Sequence, residues 1–366
     1  MMKIAFVIDD LGDGGAERVL GILTGGLARR GARVYVYGVG AAEGSPVYEL
    51  DENVSFTHFS RFDKKKRFIL PRRIIALRRE IKSTAPDVVV GFMSHNAIKA
   101  SIACLGLGTP VVYRMAAAPQ WEAGFPLIRL GMAVFFPFAK GVVYQSRSQQ
   151  TFFRNRGKRR EAVIMNPIDE TSHWYEEKTY CGTRVVAVGR LSDVKNFSML
   201  LKAWAVLAPG FPEWTLDIYG EGERRTELEC ERKALAVEDS VKLPGFTNSI
   251  ADRLFEASVF VMTSDAEGLP NALLEAMCMG VACVTTDFDG GAAKILVEDG
   301  VNGLIVPRAN CEALTLAVSR LLEDESLRRK LGKNATGIRQ RVRTEAVLEQ
   351  WEEFLGLVAQ KKDMND

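Results

Sequence analysis

The chain has 366 residues, of which 47% are apolar, and a formal net charge of +2 at neutral pH. This length and composition are typical of a globular protein with two domains. The longest apolar run, 127–139, contains Arg129 and Pro137, so it lacks the roughly eighteen uninterrupted apolar residues of a membrane-spanning helix. The apolar run 3–8 ends at Asp9 and is too short for a secretory signal, so we expect a cytoplasmic protein.

Charge is distributed unevenly along the chain. Residues 1–165 carry 25 Lys and Arg against 13 Asp and Glu, a net charge of +12, whereas residues 166–366 carry 23 against 33, a net charge of −10. A basic first half is typical of a protein that meets an anionic partner. The six cysteines form no CxxC pair and no framework spacing, which favours reduced, mostly buried thiols.

Strand-like and helix-like segments alternate along the whole chain, which is the pattern of an α/β fold with doubly wound parallel sheets. In the first half, the predicted strands are 3–8, 33–39, 87–92, 110–113, 141–145 and 161–165. The predicted helices of this half are 16–30, 71–84, 95–104, 126–138 and 146–155.

A second series of strands starts at Arg184. The predicted strands are 184–189, 214–219, 240–243, 258–263, 281–285 and 303–306, with helices between them and two more at 311–322 and 325–356. We therefore predict two Rossmann-like domains, 1–166 and 167–345, that face each other across a cleft and are joined by a linker that starts at 166–169.

The first strand leads into a glycine-rich segment, 12–15, that opens a helix. Glycine lets the backbone approach a ligand, and a helix N-terminus offers free N–H groups to a phosphate. Gly14 and Gly15 are therefore candidate phosphate-binding residues, although a glycine-rich turn of this kind is often only structural.

Two cations flank the loop 189–196, which follows the first strand of the second half. Arg190 and Lys195 are the residues that a diphosphate needs when no metal neutralises its charge. The alternative is a pair of ordinary surface cations.

Two carboxylates eight positions apart follow the strand 258–263. Glu267 is expected at the carboxyl end of this strand, where open α/β sheets bind ligands, and Glu275 about one and a half turns into the next helix. Two such acceptors beside a helix N-terminus suit a polyol next to a phosphate. The alternative is an acidic first helical turn followed by a solvated Glu275.

An Asp-x-Asp pair, 287–289, raises the question of a divalent cation beside a diphosphate. The two cations of the loop 189–196 already supply positive charge, so we predict no metal. Gly290 and Gly291 are instead expected to give backbone N–H contacts near the phosphates or the sugar.

Five motifs in register make the chain resemble the retaining glycosyltransferases of family 4 (glycosyl transferases group 1), which have the GT-B fold. The resemblance covers nearly the whole chain and is strongest over 185–331. The motifs are Gly-Arg-Leu-Ser…Lys-Asn at 189–196, Tyr-Gly-Glu-Gly-Glu at 219–223, Leu-Pro-Gly-Phe at 243–246, Glu-x7-Glu at 267–275 and Asp-Gly-Val-Asn-Gly at 299–303. The segment 166–169 matches the family's hinge, and the resemblance implies that a C-terminal helix, 346–362, crosses back to the first domain.

The resemblance implies a role for each matched residue. Arg190 and Lys195 would bind the donor diphosphate and stabilise the departing nucleotide, Glu275 would bind the ribose, and Glu267 would face the transferred sugar. Further donor contacts are implied for Gly14, Gly15, Leu243, Gly268, Leu269 and Asn271. Because the segment near Leu243 would pass the base, uridine diphosphate is the expected nucleotide, with guanosine or adenosine diphosphate as the alternatives.

The implied reaction is the transfer of a hexose or N-acetylhexosamine from a nucleotide sugar, with retention and without a metal or other cofactor. The acceptor would be lipid-linked or belong to a lipopolysaccharide or polysaccharide. A nucleotide-sugar epimerase and a non-catalytic partner subunit of the same fold are the alternatives. The basic first half brings no nucleic-acid-binding motif, so no nucleic-acid partner is expected.

His95 and Arg114 follow two predicted strands of the first domain. Some relatives have a histidine near the position of His95 that touches the sugar, which makes His95 a candidate catalytic residue; the alternative is a helix-capping Ser94 with a bystander His95. Arg114 is a candidate contact for an acceptor phosphate, or a structural arginine.

The segment 61–82 holds ten cations against two carboxylates, and its helical part has an apolar side. A basic amphipathic segment of this kind is typical of binding to an anionic membrane surface. The segment 121–127 and the pair Phe135–Phe136 could supply interfacial anchors. A solvated charged face or a buried helix would explain the same pattern. We expect a peripheral protein at the inner face of the cytoplasmic membrane.

Overall fold

The computed structural model describes residues 1–12, 14–40, 50–59, 69–116, 125–153, 159–170, 172–174, 176, 178 and 182–360. The chain divides into two compact units, one made of residues 1–169 with 342–366 and the other of residues 170–341. The sequence placed the corresponding boundaries after residues 166 and 345. Each unit is built on its own parallel sheet.

In the first unit, the described strands form a seven-stranded parallel sheet of order β3-β2-β1-β4-β5-β6-β7. The strands are β1 (Lys3–Ile8), β2 (Arg33–Gly38), β3 (Val54–His58), β4 (Val88–Phe92), β5 (Val111–Arg114), β6 (Gly141–Tyr144) and β7 (Arg160–Val163). The edge strand β3 was not predicted. Only Val54 of this strand is buried, so it has no apolar run that would identify it in the sequence.

The helices of this unit among the described residues are α1 (Gly15–Arg29), α2 (Ile69–Thr84), α3 (Ser94–Cys104), α4 (Pro126–Phe135), α5 (Arg147–Phe152) and, after those of the second unit, α14 (Thr344–Ala359). Alternate residues of β1 face opposite sides of the sheet. Phe6 and its neighbours on one side pack with α1 and α14, whereas Val7 on the other side packs with α2, α3 and α4.

In the second unit, the described strands form a six-stranded parallel sheet of order β10-β9-β8-β11-β12-β13. They are β8 (Arg184–Val188), β9 (Thr215–Tyr219), β10 (Val241–Gly245), β11 (Val259–Met262), β12 (Ala282–Thr286) and β13 (Leu304–Val306). The helices described here are α6 (Phe197–Leu207), α7 (Arg225–Ala234), α8 (Ile250–Glu256), α9 (Asn271–Cys278), α10 (Ala293–Leu296), α11 (Cys311–Glu323), α12 (Glu325–Ala335) and α13 (Arg339–Val342).

The single helix predicted over 325–356 is wrong, because this stretch forms three helices, α12, α13 and α14. Gly337, a poor helix former, lies at the first break. The chain also passes from the second unit to the first between Arg341 and Val342, so α14 contributes its apolar stripe to the core of the first unit.

The strand order of each sheet reverses direction beside its first strand. In the first unit β1 lies between β2 and β4, and in the second unit β8 lies between β9 and β11. Open α/β sheets bind ligands at such switch points, outside the carboxyl ends of the strands. The side chains that follow β1 and β4, and those that follow β8 and β11, are therefore the first places to look for a site.

Candidate active site

Lys195 and Glu267 meet at the switch point of the second unit. Lys195 ends a short 3-10 turn after β8, and Glu267 lies in the loop between β11 and α9. Lys195 Nζ lies 2.5 Å from Glu267 Oε1, and Ser264 Oγ donates to the same oxygen at 2.6 Å. The side chains of Lys195 and Glu267 are 21% and 14% exposed, so the ion pair is mostly but not fully shielded from water.

The loop that carries Lys195 is tied to the end of β11. Thr263 Oγ1 donates to the Lys195 carbonyl at 2.8 Å, and the Asp265 N–H donates to the Val194 carbonyl at 2.8 Å. Asn196 then caps α6 from a left-handed conformation, φ +49°, and its Oδ1 accepts from the Met199 N–H at 3.4 Å. Side-chain and backbone bonds thus bring the two predicted motifs together.

The geometry of the ion pair leaves room for both predicted roles. An ammonium group has three N–H donors, and Glu267 uses one of them, so Lys195 retains donors for a phosphate. Both described contacts of the Glu267 carboxylate are made by Oε1. Oε2 can accept from a sugar hydroxyl without breaking the pair.

The other donor residues predicted in the second unit lie on the same edge of its sheet. Arg190 is exposed on the loop after β8. Gly268, in the loop before α9, and Asn271, the first residue of α9, are partly buried. Glu275 is only 5% exposed, so the alternative of a solvated Glu275 is wrong. The assigned contacts of these residues with a nucleotide sugar stay predictions.

Two leucines predicted to contact the donor have buried side chains. Leu269 is buried, and Leu243 packs in the core of the second unit. The Leu243 carbonyl accepts from Arg225 Nη2 at 2.8 Å. A base near this segment would therefore meet backbone atoms or the exposed Lys242, and not the Leu243 side chain.

A pocket of about 500 Å³ borders the Glu267 loop and is lined by Asp287, Phe288, Asp289, Gly290, Gly291, Pro307 and Arg308. The Glu267 N–H donates to the Asp289 carbonyl at 3.0 Å, which joins the two loops. Asp287 lies 2.6 Å from Lys294 Nζ and Asp289 lies 2.6 Å from Arg308 Nη1. Within the described residues, no group of three or more His, Cys, Asp or Glu side chains is arranged to hold a metal ion.

The switch point of the first unit holds a second cluster, which sequence reasoning found only in part. Asp9 follows β1, and its carboxylate lies 2.5 Å from His95 Nε2 and 2.6 Å from Lys99 Nζ. Lys99 Nζ also donates to Asn96 Oδ1 at 2.9 Å. One signal lay in the sequence, because Lys99 is four residues, about one helical turn, after His95. The contact with Asp9 depends on β1 and β4 being neighbours in the sheet.

The structure shows which of Ser94 and His95 has a side chain that a ligand could reach. Ser94 is 1% exposed and is the first residue of α3, so it does not cap the helix. Met93, at φ +67°, is the capping residue. The His95 side chain is 30% exposed, so of the two it is the one that a ligand could reach.

Asp9 has a strongly lowered pKa. Burial by itself would raise the pKa of this carboxyl, but the hydrogen bond from His95 and the charge of Lys99 outweigh burial. A carboxyl whose pKa is lower in the folded than in the unfolded state stabilises the fold above the unfolded pKa of about 4, and this stabilisation is lost as pH falls.

Replacing Asp9 should therefore destabilise the protein in a pH-dependent way. We expect Asp9→Asn to lower the free energy of unfolding at pH 7, with a difference from the parent that shrinks as pH falls below about 4. Urea titrations across this range measure the difference. Asp239→Asn, which alters an exposed carboxylate, should have little effect at any pH. An Asp9→Asn effect that stays constant with pH would contradict this account.

Gly14 directly precedes the first residue of α1, Gly15, so the predicted helix start is confirmed, whereas contact with a ligand stays a prediction. A Cβ atom built on Gly14 would lie 2.1 Å from Glu17 Oε2. The Glu17 carboxylate therefore lies against this glycine, close to where an anion was expected, and it would have to move before a phosphate could bind there.

Arg114 lies at the end of β5 and is buried. Its guanidinium donates to Asn166 Oδ1 and lies 4.6 Å from the centre of the Phe92 ring. This environment favours the structural alternative, and contact with an acceptor phosphate stays a prediction.

The basic segment 61–82 lies partly outside the described residues, which resume at residue 69. In α2, Arg73 donates to the Val39 carbonyl at 3.2 Å, and Arg78 donates to the carbonyls of Ala103 and Leu105. These two cations therefore stabilise the fold. The remaining cations of α2 are exposed: Arg72, Arg79 and Lys82.

Comparison with known proteins adds independent information. The profile of the glycosyl transferases group 1 matches residues 176–337, and that of glycosyltransferase family 4 matches residues 13–172. The chain is 30% identical to a Campylobacter jejuni protein named GalNAc-alpha-(1->4)-GalNAc-alpha-(1->3)-diNAcBac-PP-undecaprenol alpha-1,4-N-acetyl-D-galactosaminyltransferase, over 99% of this chain and 100% of that protein. It is 26% identical to the amylovoran biosynthesis glycosyltransferase AmsD of Erwinia amylovora, over 97% and 100% of the two chains.

Among solved structures, Anabaena HepE in complex with UDP-glucose superposes with a TM-score of 0.82 at 24% identity, covering 98% of this chain and 100% of HepE. The chain therefore belongs to glycosyltransferase family 4, the glycosyl transferases group 1, and has the GT-B fold. It is a glycosyltransferase of the retaining, metal-independent class that uses nucleotide sugars.

In the described part of the chain, no helix has the length and apolar character needed to cross a bilayer.

Proposed function

We propose that the enzyme transfers a hexose or N-acetylhexosamine, with retention, from a UDP-linked sugar to a lipid-linked, lipopolysaccharide or polysaccharide acceptor at the cytoplasmic face of the membrane. The second unit binds the donor, and the first unit binds the acceptor. Arg190 and Lys195 hold the diphosphate, Glu275 binds the ribose, and Glu267 faces the transferred sugar.

The observation that carries this proposal is the Lys195–Glu267 pair at the switch point of the second sheet. A cation beside a partly shielded carboxylate can stabilise the charge that develops on a departing diphosphate while the carboxylate orients the sugar. Fixed positive charge of this kind stabilises a leaving group without a metal ion.

The proposed acceptor class is supported by the named activities of two relatives and by the net positive charge of the first half of the chain. The Campylobacter relative acts on a glycan linked to undecaprenol diphosphate, and the Erwinia relative serves amylovoran biosynthesis. The basic first half of the chain complements an acceptor diphosphate and an anionic membrane, which the segment 61–82 would contact. A nucleotide-sugar epimerase and a non-catalytic partner subunit are the alternatives.

Screening nucleotide sugars for thermal stabilisation tests the donor class. A ligand at 100 times its dissociation constant stabilises the fold by about 2.7 kcal/mol, which a melting curve resolves. We expect stabilisation by one or a few UDP-sugars, followed by release of UDP when the acceptor is added. Interconversion of the donor without acceptor would favour the epimerase, and no response to any nucleotide sugar would contradict the proposal.

The ribose role of Glu275 gives a direct binding test. Glu275→Gln should weaken UDP binding about tenfold or more, because hydrogen bonds to a charged acceptor contribute about 1.5–3 kcal/mol. Isothermal titration calorimetry measures this affinity, and the melting temperature without ligand reports on the fold. Glu298→Gln, on an exposed loop of the same unit, is the matched control. An unchanged affinity in Glu275→Gln would rule out the ribose contact.

A further inference from the structure

Helix α4 of the first unit exposes large apolar side chains instead of burying them. Among the described residues, this helix and its immediate flanks account for a cluster of exposed apolar side chains, with these exposed fractions: Phe125 60%, Leu127 82%, Leu130 62%, Val134 47% and Phe138 77%. Scattered exposed leucines are ordinary on protein surfaces, but a contiguous apolar patch marks an interaction site.

The spacing of these residues places them on one face. Leu127, Leu130 and Val134 are separated by three and four residues, which places them in a single stripe along α4. Phe138 follows in the 3-10 turn at the end of the helix. We name this stripe, together with Phe125 and Phe138, the α4 face.

The opposite side of α4 already packs against the protein. Met132 is buried in the core, and a Cβ atom built on Gly131 would lie 2.7 Å from Ile98 Cδ1, so α4 lies close against α3. The core therefore does not need the α4 face, and its apolar character calls for another explanation.

The positive charge around the α4 face indicates which partner would bind there. Residues 125–140 contain no Asp or Glu, whereas Arg129 and Lys140 are both exposed. Helix α2 packs on the same side of the sheet, next to α3, and also carries exposed cations. A second copy of the chain would bring these cations against one another, whereas an anionic bilayer offers phosphates to the cations and an apolar layer to the leucines.

We propose that the α4 face inserts into the interfacial region of an anionic lipid bilayer. The helix lies in the plane of the membrane, because its ten residues rise only about 15 Å, half of the hydrocarbon thickness. The exposed cations Arg129 and Lys140 contact lipid phosphates. The inference rests on the proposed action at the membrane face, but the binding itself needs neither donor nor acceptor.

Docking through α4 would also orient the acceptor unit. Ile98, which contacts α4 at Gly131, is one helical turn after His95 on α3. The helix that carries His95 therefore lies directly beneath the membrane-bound helix, which suits an acceptor whose sugar is attached to a lipid.

Vesicle binding tests this inference without any sugar chemistry. We expect the full-length protein to cosediment with vesicles of phosphatidylglycerol and phosphatidylethanolamine, and more weakly with phosphatidylcholine alone. Leu127→Ser/Leu130→Ser should lower the partition coefficient at least tenfold, which corresponds to about 1.4 kcal/mol. Since both side chains are exposed, the melting temperature should not change.

The matched control is Val206→Ser/Leu316→Ser, which removes two similarly exposed side chains, 68% and 60%, from helices of the second unit. Binding should survive in this control. Equal loss in both double variants, or parent-like binding of the α4 variant, would overturn the proposal. A shift from dimer to monomer in the α4 variant, seen by light scattering, would also overturn it by assigning the face to a second copy. Glycosyl transfer to a soluble acceptor is measured separately, so failure of the proposed function and failure of docking are distinguishable.

Discussion

Lys195→Met should lower kcat at least a hundredfold. The side chain lies at the switch point of the second sheet, and its stem runs along Gly189, where a Cβ atom would lie 3.2 Å from Lys195 Cε. A fixed ammonium that stabilises charge developing on the departing diphosphate acts mainly in the transition state, so its loss should reduce kcat more than it raises KM. Steady-state measurement of released nucleotide with the preferred donor checks this expectation.

The ion pair with Glu267 requires a control, because Lys195→Met also removes a partner of that carboxylate. In Glu267→Gln a neutral amide replaces the carboxylate, so the ion pair is already lost. A further large loss of kcat on adding Lys195→Met would therefore come from the diphosphate contact. If the double variant is no slower than Glu267→Gln alone, Lys195 acts only by holding Glu267. Lys202→Met, at an exposed position of α6, should leave kcat unchanged.

Gly220→Ala should cause a large loss of stability. Gly220 follows β9 at φ +141°, and a Cβ atom there would lie 1.9 Å from the Gly189 carbonyl oxygen. The unfavourable backbone conformation and the forced shift of the Gly189 carbonyl each cost about 1–3 kcal/mol. We therefore expect the free energy of unfolding to fall by roughly 2–6 kcal/mol. Urea unfolding followed by the fluorescence of Trp204 and Trp214, both in the second unit, measures this change.

The same substitution should also affect function. The atom that must move belongs to Gly189, which starts the loop of Arg190 and Lys195, so folded Gly220→Ala protein should bind the donor more weakly. Gly210→Ala, in the same unit, has a Cβ position with nothing within 4 Å and should be close to neutral. A Gly220→Ala variant with parent-like stability would show that the β9 turn relaxes without strain.

The sequence predicted the buried strands well and the edge strand poorly. The strands β1, β4, β8 and β11 are continuous apolar runs, because both of their faces are covered, and such runs are readable without a structure. The strand β3 lies at the sheet edge, with its side chains mostly exposed, so its composition resembles that of a loop.

The contacts between side chains were harder to predict from the sequence than the positions of residues at the ends of strands. The motif spacing placed Lys195 and Glu267 at the ends of two strands, but their direct contact depends on β8 and β11 being neighbours, which is a property of the sheet. Asp9 and Lys99 had no motif of their own, and they join His95 only because β1 pairs with β4.

The sequence by itself determined the family, the two parallel α/β sheets and the candidate loops, because apolar periodicity and glycine-rich motifs are local properties of the chain. Only the tertiary structure decided which charges meet, which arginines of α2 are used for packing, and that the apolar stripe of α4 faces outward. These outcomes depend on contacts between residues far apart in the chain, and helical periodicity alone does not reveal whether an apolar face points to the core or to a partner.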